Sequence, residues 1–146
     1  MIIIPTKKLY PDAQLPTRGS AQAAGYDLYA YLSVPVTIYP HSTVKIDTGI
    51  AVAIPDGFFG GIYARSGLAT KQGLRPSNCC GIIDSDFRGN IIVALHNDTD
   101  KAQLVMPGQR IAQLIIQPYL PVEFAEVDEL DETERGEGGY GHTGVK

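Results

Sequence analysis

Glycine and proline divide this chain into segments that are too short for long helices. The 146 residues include 16 glycines and 10 prolines. Between them, apolar side chains recur with a period of two, as in Val44, Ile46 and Ile50, with the β-branched Thr48 at the intervening position of the same series. Because successive side chains of a strand point to opposite faces, this period is typical of half-buried strands. The pattern predicts an all-β fold, a jelly-roll-like sandwich or barrel.

Strand-like segments lie along most of the chain. We expect strands within residues 34–38, 44–54, 58–63, 91–95 and 111–117. The one candidate helix covers residues 65–72, and Gly73 would end it. An acidic run followed by a glycine-rich block predicts a β domain over residues 1–125 and a mobile tail over residues 126–146.

Charge and length limit the partners and the location of the protein. The net charge of −4 argues against a nucleic-acid polymer, which needs a basic face, but allows a single nucleotide. The apolar start MIII is too short for a signal peptide or a membrane span. Adjacent Cys79 and Cys80 do not suit a disulfide framework. We therefore expect a soluble intracellular protein that binds no membrane.

Five blocks set glycines beside polar or charged side chains. Glycine lets backbone N–H groups approach a ligand closely, which suits a phosphate-bearing small molecule. The blocks are AGYDLYA (24–30), ARSGLA (64–69), GIIDSDFRGN (81–90), GQRIAQLI (108–115) and RGEGGYGHTG (135–144).

Each block also has a plainer explanation when it is taken alone. Asp84 could act as a general base for a water, but a turn aspartate that bonds its own backbone is the commoner case. Asp27 could orient a catalytic group or bond a strand end. Arg65 and Ser66 could bind phosphate at the start of a helix, or Ser66 could simply cap that helix.

The fourth block places Arg110 and Gln113 three residues apart in a strand pattern. Odd spacing predicts that they lie on opposite faces of that strand. Metal binding by a protein cage is not indicated, because His41, His96 and His142 share no ligand spacing. Mg²⁺ held mainly by substrate phosphates needs no such cage.

Together the five blocks resemble the motifs of the trimeric dUTPases, in family order, over residues 24–144. The resemblance implies a jelly-roll-like subunit in a homotrimer, with active sites between subunits. One chain would provide the first, second and fourth motifs, a second chain the third motif, and a third chain its C-terminal tail. The implied reaction is hydrolysis of dUTP to dUMP and pyrophosphate with Mg²⁺.

The resemblance also implies residue roles. Asp84 would activate the water that attacks the α-phosphorus, and Asp27 would belong to the network around the metal and its waters. Phosphates would be contacted by Arg65, Ser66, Gly67 and Gln113. The uracil and the deoxyribose would be read by a hairpin and its flank, comprising Asn78, Gly81, Ile82, Ile83 and Phe87. The tail would contribute Arg135 at the γ-phosphate, Tyr140 over the uracil, and Gly141, His142 and Thr143 around the nucleotide.

Two other functions remain open at this point. A dCTP deaminase shares the fold and would release ammonia instead of pyrophosphate. A non-catalytic β module could bind a nucleotide as a sensor or scaffold. Turnover of dUTP with Mg²⁺ would separate all three.

Overall fold

A computed structural model of the chain describes residues 2–140 and residue 142. It contains twelve strands and one short helix. Every strand pair is antiparallel, and the last strand ends at Pro118. The strands and the helix are β1 Thr6–Lys8, β2 Thr17–Arg18, β3 Tyr26–Tyr29, β4 Val36–Ile38, β5 Thr43–Asp47, β6 Ile50–Val52, β7 Phe58–Tyr63, α1 Ser66–Gln72, β8 Leu74–Pro76, β9 Cys80–Ile83, β10 Ile92–Asn97, β11 Gln103–Val105 and β12 Arg110–Pro118.

Two main sheets share one core. The larger has the strand order β2-β3-β12-β7-β9, and the smaller has the order β5-β10-β8. Two-stranded ladders, β1-β6 and β4-β11, complete the fold. Leu28 and Ile62 of the larger sheet join Ile46, Leu74 and Leu95 of the smaller sheet in a single buried cluster. This arrangement confirms the predicted all-β, jelly-roll-like fold.

The alternating pattern of residues 44–54 forms two strands and not one. β5 and β6 are separated by Thr48 and Gly49, and Gly49 has a φ of +71°. The Thr48 hydroxyl donates to the carbonyl of Ile91 at 2.6 Å, which satisfies it in the buried bend. The alternation of side chains continues through the bend. It therefore could not show where the chain leaves the pairing with β10 and begins to pair with β1.

The helix confirms its predicted end. Gly73 has a φ of +63°, and its N–H donates to the carbonyl of Ala69. A Cβ at this position would also collide with the Thr99 methyl group. Only glycine meets both demands, and this close approach fixes the helix end against the loop after β10.

Candidate active site

The buried carboxylate of Asp27 lies between two arginines. Arg65 Nε donates to Asp27 Oδ1 at 2.7 Å, and Arg110 Nη1 donates to Oδ2 at 3.1 Å. The Asp27 side chain is 12 % exposed, whereas those of Arg65 and Arg110 are 28 % and 49 % exposed. Two guanidinium charges against one carboxylate leave a net positive charge that faces the solvent. We call these three residues the Asp27 clamp.

A β-bulge in β12 builds the clamp. The pairing between β12 and β3 shifts register between Arg110 and Ala112, so that Arg110 lies opposite Tyr29 and Gln113 lies opposite Asp27. Tyr29 and Asp27 are two residues apart and share a face, and their cross-strand partners share it too. The prediction that Arg110 and Gln113 lie on opposite faces was therefore wrong, because the extra residue of a bulge resets the alternation.

Gln113 is held close to the clamp. Its Nε2 donates to the carbonyl of Ala64 at 2.9 Å. A Cβ on Gly25 would overlap the Gln113 side-chain oxygen, so the first block has glycine where the fourth block needs room. On the other side, Gln113 pairs with Tyr63. The neighbouring Cys80 thiol and then desolvation raise the pKa of Tyr63.

An open cationic cleft adjoins the clamp. It has a volume of about 480 Å³ and is lined by Arg65, Gly67, Lys71 and Arg110, among others. Ser66 is the first residue of α1, and Arg65 occupies the N-cap position without a side-chain capping bond. Ser66 is therefore not the helix cap that local sequence allowed. Lys71 was not predicted as part of a site, although its position at the end of α1 follows from the helix length.

The turn between β8 and β9 covers residues 77–79 and lies beside the predicted base-reading residues. Because β8 pairs with β10 in the smaller sheet and β9 pairs with β7 in the larger sheet, these two strands do not form the predicted hairpin. We call residues 77–79 the β8–β9 turn. Asn78 Nδ2 lies 3.4 Å from the place that a Gly81 Cβ would occupy. Along β9, Gly81 is buried, Ile82 is exposed and Ile83 is half-buried. The two cysteines are free, and Cys79 lies exposed in the turn and not in the strand.

Asp84 follows β9 directly and is exposed. Within the described part of the chain, no donor contacts its carboxylate, and its turn is closed through the backbone, with Phe87 N–H donating to the Asp84 carbonyl at 3.2 Å. The turn aspartate that bonds its own backbone through the side chain is therefore not what forms here. Asp84 lines a second cleft with Ile82, Ser85, Asp86, Phe59 and Tyr119. The Phe87 ring lies against Gly89, where a Cβ would come within 2.6 Å of it.

Asp84 and the Asp27 clamp lie far apart within one chain. Asp27, Gln113, Tyr63 and Cys80 form one cross-strand row, and Asp84 is four residues beyond Cys80. That is about 13 Å along the strand, and the three strand spacings from β3 to β9 add roughly 14 Å sideways. The two carboxylates of one chain cannot contact the same phosphate group.

The C-terminal segment packs little against its own subunit. No helix or strand occurs between residues 119 and 140, and the large apolar side chains of Leu120, Phe124 and Leu130 are 85 %, 95 % and 84 % exposed. Arg135 Nε donates to the carbonyl of Gly138 at 2.8 Å. Tyr140 and His142 are exposed, and Gly141 and Thr143 lie outside the described residues.

Over residues 2–140 and 142, no three His, Cys, Asp or Glu side chains are grouped so that they could hold a metal ion. No helix within that range has the length and apolar character needed to cross a membrane.

Fold and site together define a class of protein: an all-β chain with a clamped carboxylate and a cationic cleft suited to an anionic small molecule. Comparisons with known proteins identify the family. A family model described as dUTPase matches residues 11–144. A deoxyuridine 5'-triphosphate nucleotidohydrolase of Syntrophotalea carbinolica is 46 % identical over 143 residues, covering 98 % of this chain and 97 % of that protein. One from Oryza sativa is 44 % identical, covering 98 % and 81 %.

A solved structure agrees with these relatives. A mutant of the dUTPase of Staphylococcus bacteriophage 80alpha, with dUpNHpp, superposes with a TM-score of 0.87 at 29 % identity, covering 99 % of this chain and all of that one. The chain belongs to the dUTPase family.

Proposed function

We propose that this protein hydrolyses dUTP to dUMP and pyrophosphate, by attack of water on the α-phosphorus, in sites shared between three subunits. The activity follows from membership of the dUTPase family. This reaction removes dUTP, so that uracil stays out of DNA, and it supplies dUMP for thymidylate synthesis. The observation that supports a shared site is the separation of Asp84 from the Asp27 clamp, since both groups are proposed to act on one triphosphate.

The triphosphate would lie along the cationic cleft. Arg65 offers a fork of charged donors, and Ser66 and Gly67 place a hydroxyl and an unobstructed backbone beside it. Gln113 is fixed through its amide nitrogen, which leaves its oxygen as an acceptor for a water. Asp27 would hold both arginines in position and would not contact the phosphates itself.

Asp84 of a neighbouring subunit would be the general base. An exposed carboxylate with no intramolecular donor is free to accept a proton from a water that it orients. Such a water must lie within hydrogen-bond distance of Asp84 and in line with the bond from the α-phosphorus to the leaving oxygen. Position and electrostatic stabilisation then lower the barrier, with no covalent step on the protein.

The β8–β9 turn and the start of β9 would bind the uracil base. Asn78 would contribute a side-chain amide beside the backbone groups around Gly81, and we expect this narrow space to exclude the methyl group of thymine. Cytosine would leave a donor facing a donor, and unpaired buried groups cost affinity. Phe87 would pack under the deoxyribose and exclude a 2′-hydroxyl.

Mg²⁺ is proposed as the cofactor. Both oxygens of Asp27 accept a guanidinium bond, so this carboxylate fits a place beside the metal's water shell better than a place as a direct ligand. The phosphate oxygens of the substrate would supply the direct ligands. The ion would neutralise charge on the triphosphate as pyrophosphate leaves.

The tail of residues 126–146 would close over the site of another subunit. The exposed apolar side chains that precede the tail support packing of this segment against a neighbouring subunit. These side chains are Leu120, Val122 and Phe124. Arg135 would then meet the γ-phosphate and Tyr140 the uracil ring, with Gly141, His142 and Thr143 around the phosphates. We propose an intracellular location, where such a nucleotide is found.

A nucleotide panel tests the activity. The protein is incubated with Mg²⁺ and dUTP, dTTP, dCTP or UTP, and pyrophosphate and ammonia are both measured. We expect pyrophosphate from dUTP alone. Ammonia from dCTP would identify a deaminase, and binding of dUTP without turnover would identify a sensor. Both results would contradict the proposal.

A further inference from the structure

The Arg75 side chain contacts the β8–β9 turn and its flank at three points. Its Nη1 donates to the carbonyls of Pro76 at 3.2 Å and Ser77 at 3.4 Å, and lies 3.8 Å from the Sγ atom of Cys79. All three partners belong to the turn that presents Asn78, or to its flank. The guanidinium group therefore links the residues on both sides of Asn78.

Asp98 fixes Arg75 from the other side. Arg75 Nε donates to Asp98 Oδ2 at 2.7 Å and Nη2 donates to Oδ1 at 3.0 Å, which is a bidentate pair. The hydrogen bond to Asp98 raises the pKa of Arg75 further above its already high usual value. The fork geometry lets one side chain serve the carboxylate and the turn at once.

The backbone around Asp98 is anchored by hydrogen bonds to other parts of the fold. Asp98 N–H donates to the carbonyl of Gly73 at 2.9 Å. The preceding Asn97 is fully buried, and its Nδ2 donates to the carbonyls of Ile38 and Lys101. Contacts therefore run without a break from the buried Asn97 through Asp98 and Arg75 to the β8–β9 turn.

The turn needs outside support because its backbone is strained. Cys79 has a φ of +63°, a left-handed conformation that is unfavourable for a residue with a Cβ. Its own bonds are few: Cys79 N–H donates to the Pro76 carbonyl and Cys80 N–H to the Asn78 carbonyl. The Arg75 guanidinium adds contacts on both sides of Asn78.

We propose that Arg75 is a positioning residue for base selectivity, acting through the turn of residues 77–79 on the placement of Asn78 over Gly81. This inference rests on the proposed function of the β8–β9 turn in binding the uracil base. Loss of the Arg75 guanidinium group would make the position of Asn78 less well defined. It would not change the contacts of Asp84 or of the Asp27 clamp. The Michaelis constant and selectivity should therefore change, and the turnover number should not.

Arg75→Gln is the principal test, with Asp100→Asn as the control. Asp100 lies in the same loop, and among residues 2–140 and 142 its side chain pairs only with the exposed His41. For Arg75→Gln we expect the KM for dUTP to rise about tenfold, kcat to stay within about twofold, and the dUTP-over-dCTP preference in kcat/KM to fall about tenfold. Arg75→Lys should not rescue, because an ammonium group cannot form the fork. Hydrogen exchange at the Cys79 amide should be faster in both Arg75 variants and unchanged in Asp100→Asn.

The outcomes separate the inference from the proposed function. If the wild-type protein hydrolyses dUTP selectively and Arg75→Gln keeps both KM and selectivity, the inference is overturned and the proposed function stands. If the wild-type protein shows no preference for dUTP over dCTP, the proposal that the β8–β9 turn selects the base is wrong, and the inference about Arg75 is wrong as well. Should Arg75→Gln not fold, the isosteric Asp98→Asn must shift KM and selectivity in the same direction, and unchanged values there would refute the role of Arg75.

Discussion

Two carboxylates of this chain have opposite surroundings, and each suits a different task. Asp27 is buried and clamped by two guanidinium groups, so it organises positive charge. Asp84 is exposed, and no donor within the described residues contacts its carboxylate, so it is free to handle a proton. Both were predicted as site residues from the sequence, but only the structure shows that one carboxylate is buried between two arginines and the other is exposed.

Removing the proposed base tests the role of Asp84. Asp84→Asn keeps the shape of the side chain but cannot take a proton, so kcat for dUTP should fall by about 10²- to 10⁴-fold while the KM stays within a few-fold. Steady-state pyrophosphate release measures both constants. Asp100→Asn, an exposed aspartate outside the site, should retain full activity. Near-normal turnover by Asp84→Asn would refute the assignment.

Removing the clamped carboxylate tests the role of Asp27. Asp27→Ala leaves two cationic groups close together with no partner, and both are partly exposed, so the cost is less than that of a fully buried pair. We expect the free energy of unfolding to drop by about 2 kcal/mol. Urea denaturation of the variant and of Asp100→Asn measures it. A loss no larger than that of the control would show that the clamp contributes nothing to stability.

At the scale of elements, the sequence predicted what depends on periodicity and missed what depends on register. Strands β7 and β12 follow from short apolar segments bounded by turn residues, and the end of α1 at Gly73 follows from glycine chemistry. The bulge after Arg110 does not, because one extra residue in a nine-residue strand leaves the apolar pattern almost intact. That single irregularity places Arg110 beside Asp27, so sequence alone could not identify the clamp.

The junction between α1 and the loop after β10 gives an element-scale prediction. Gly73→Ala should destabilise the protein by about 2 kcal/mol, because a left-handed φ and a clash with Thr99 act together. Gly57→Ala is the matched control, since Gly57 has a φ of +80° with nothing near its missing Cβ. Its cost should be only about 1 kcal/mol.

Thr99→Ser separates the two contributions at Gly73. Serine removes the clashing methyl group and keeps the hydroxyl that donates to Asn97 Oδ1. The double variant Gly73→Ala/Thr99→Ser should therefore lose no more stability than Gly57→Ala does, by thermal or urea unfolding. A double variant as unstable as Gly73→Ala alone would show that the clash is not the cause.

At the scale of the whole molecule, the proposed site residues of one chain lie in separate places. Asp84 lies roughly 19 Å from the clamp by strand geometry, and the C-terminal segment is exposed throughout residues 121–137. The resemblance to the dUTPases predicted a site divided among subunits, and this division stays a prediction. Strand periodicity could not predict it, because it carries no information about neighbouring chains.

Truncation tests the role of the tail. Removing residues from Arg135 onward should lower kcat/KM for dUTP by at least about tenfold, because the closing segment and its arginine are lost. The mass from light scattering should remain three times that of the shortened chain. A truncated protein with full activity would contradict the closing role, and a monomeric one would place the tail in assembly instead.

Subunit mixing tests the shared site most directly. Asp84→Asn and Arg65→Gln are each expected to be nearly inactive, and circular dichroism verifies that both fold. When the two are co-expressed in equal amounts, a site can combine Asp84 from one chain with Arg65 from another, so random symmetric trimers should recover about one quarter of wild-type activity. A site contained within one chain would recover none, and a mixture no more active than its two components would contradict the account.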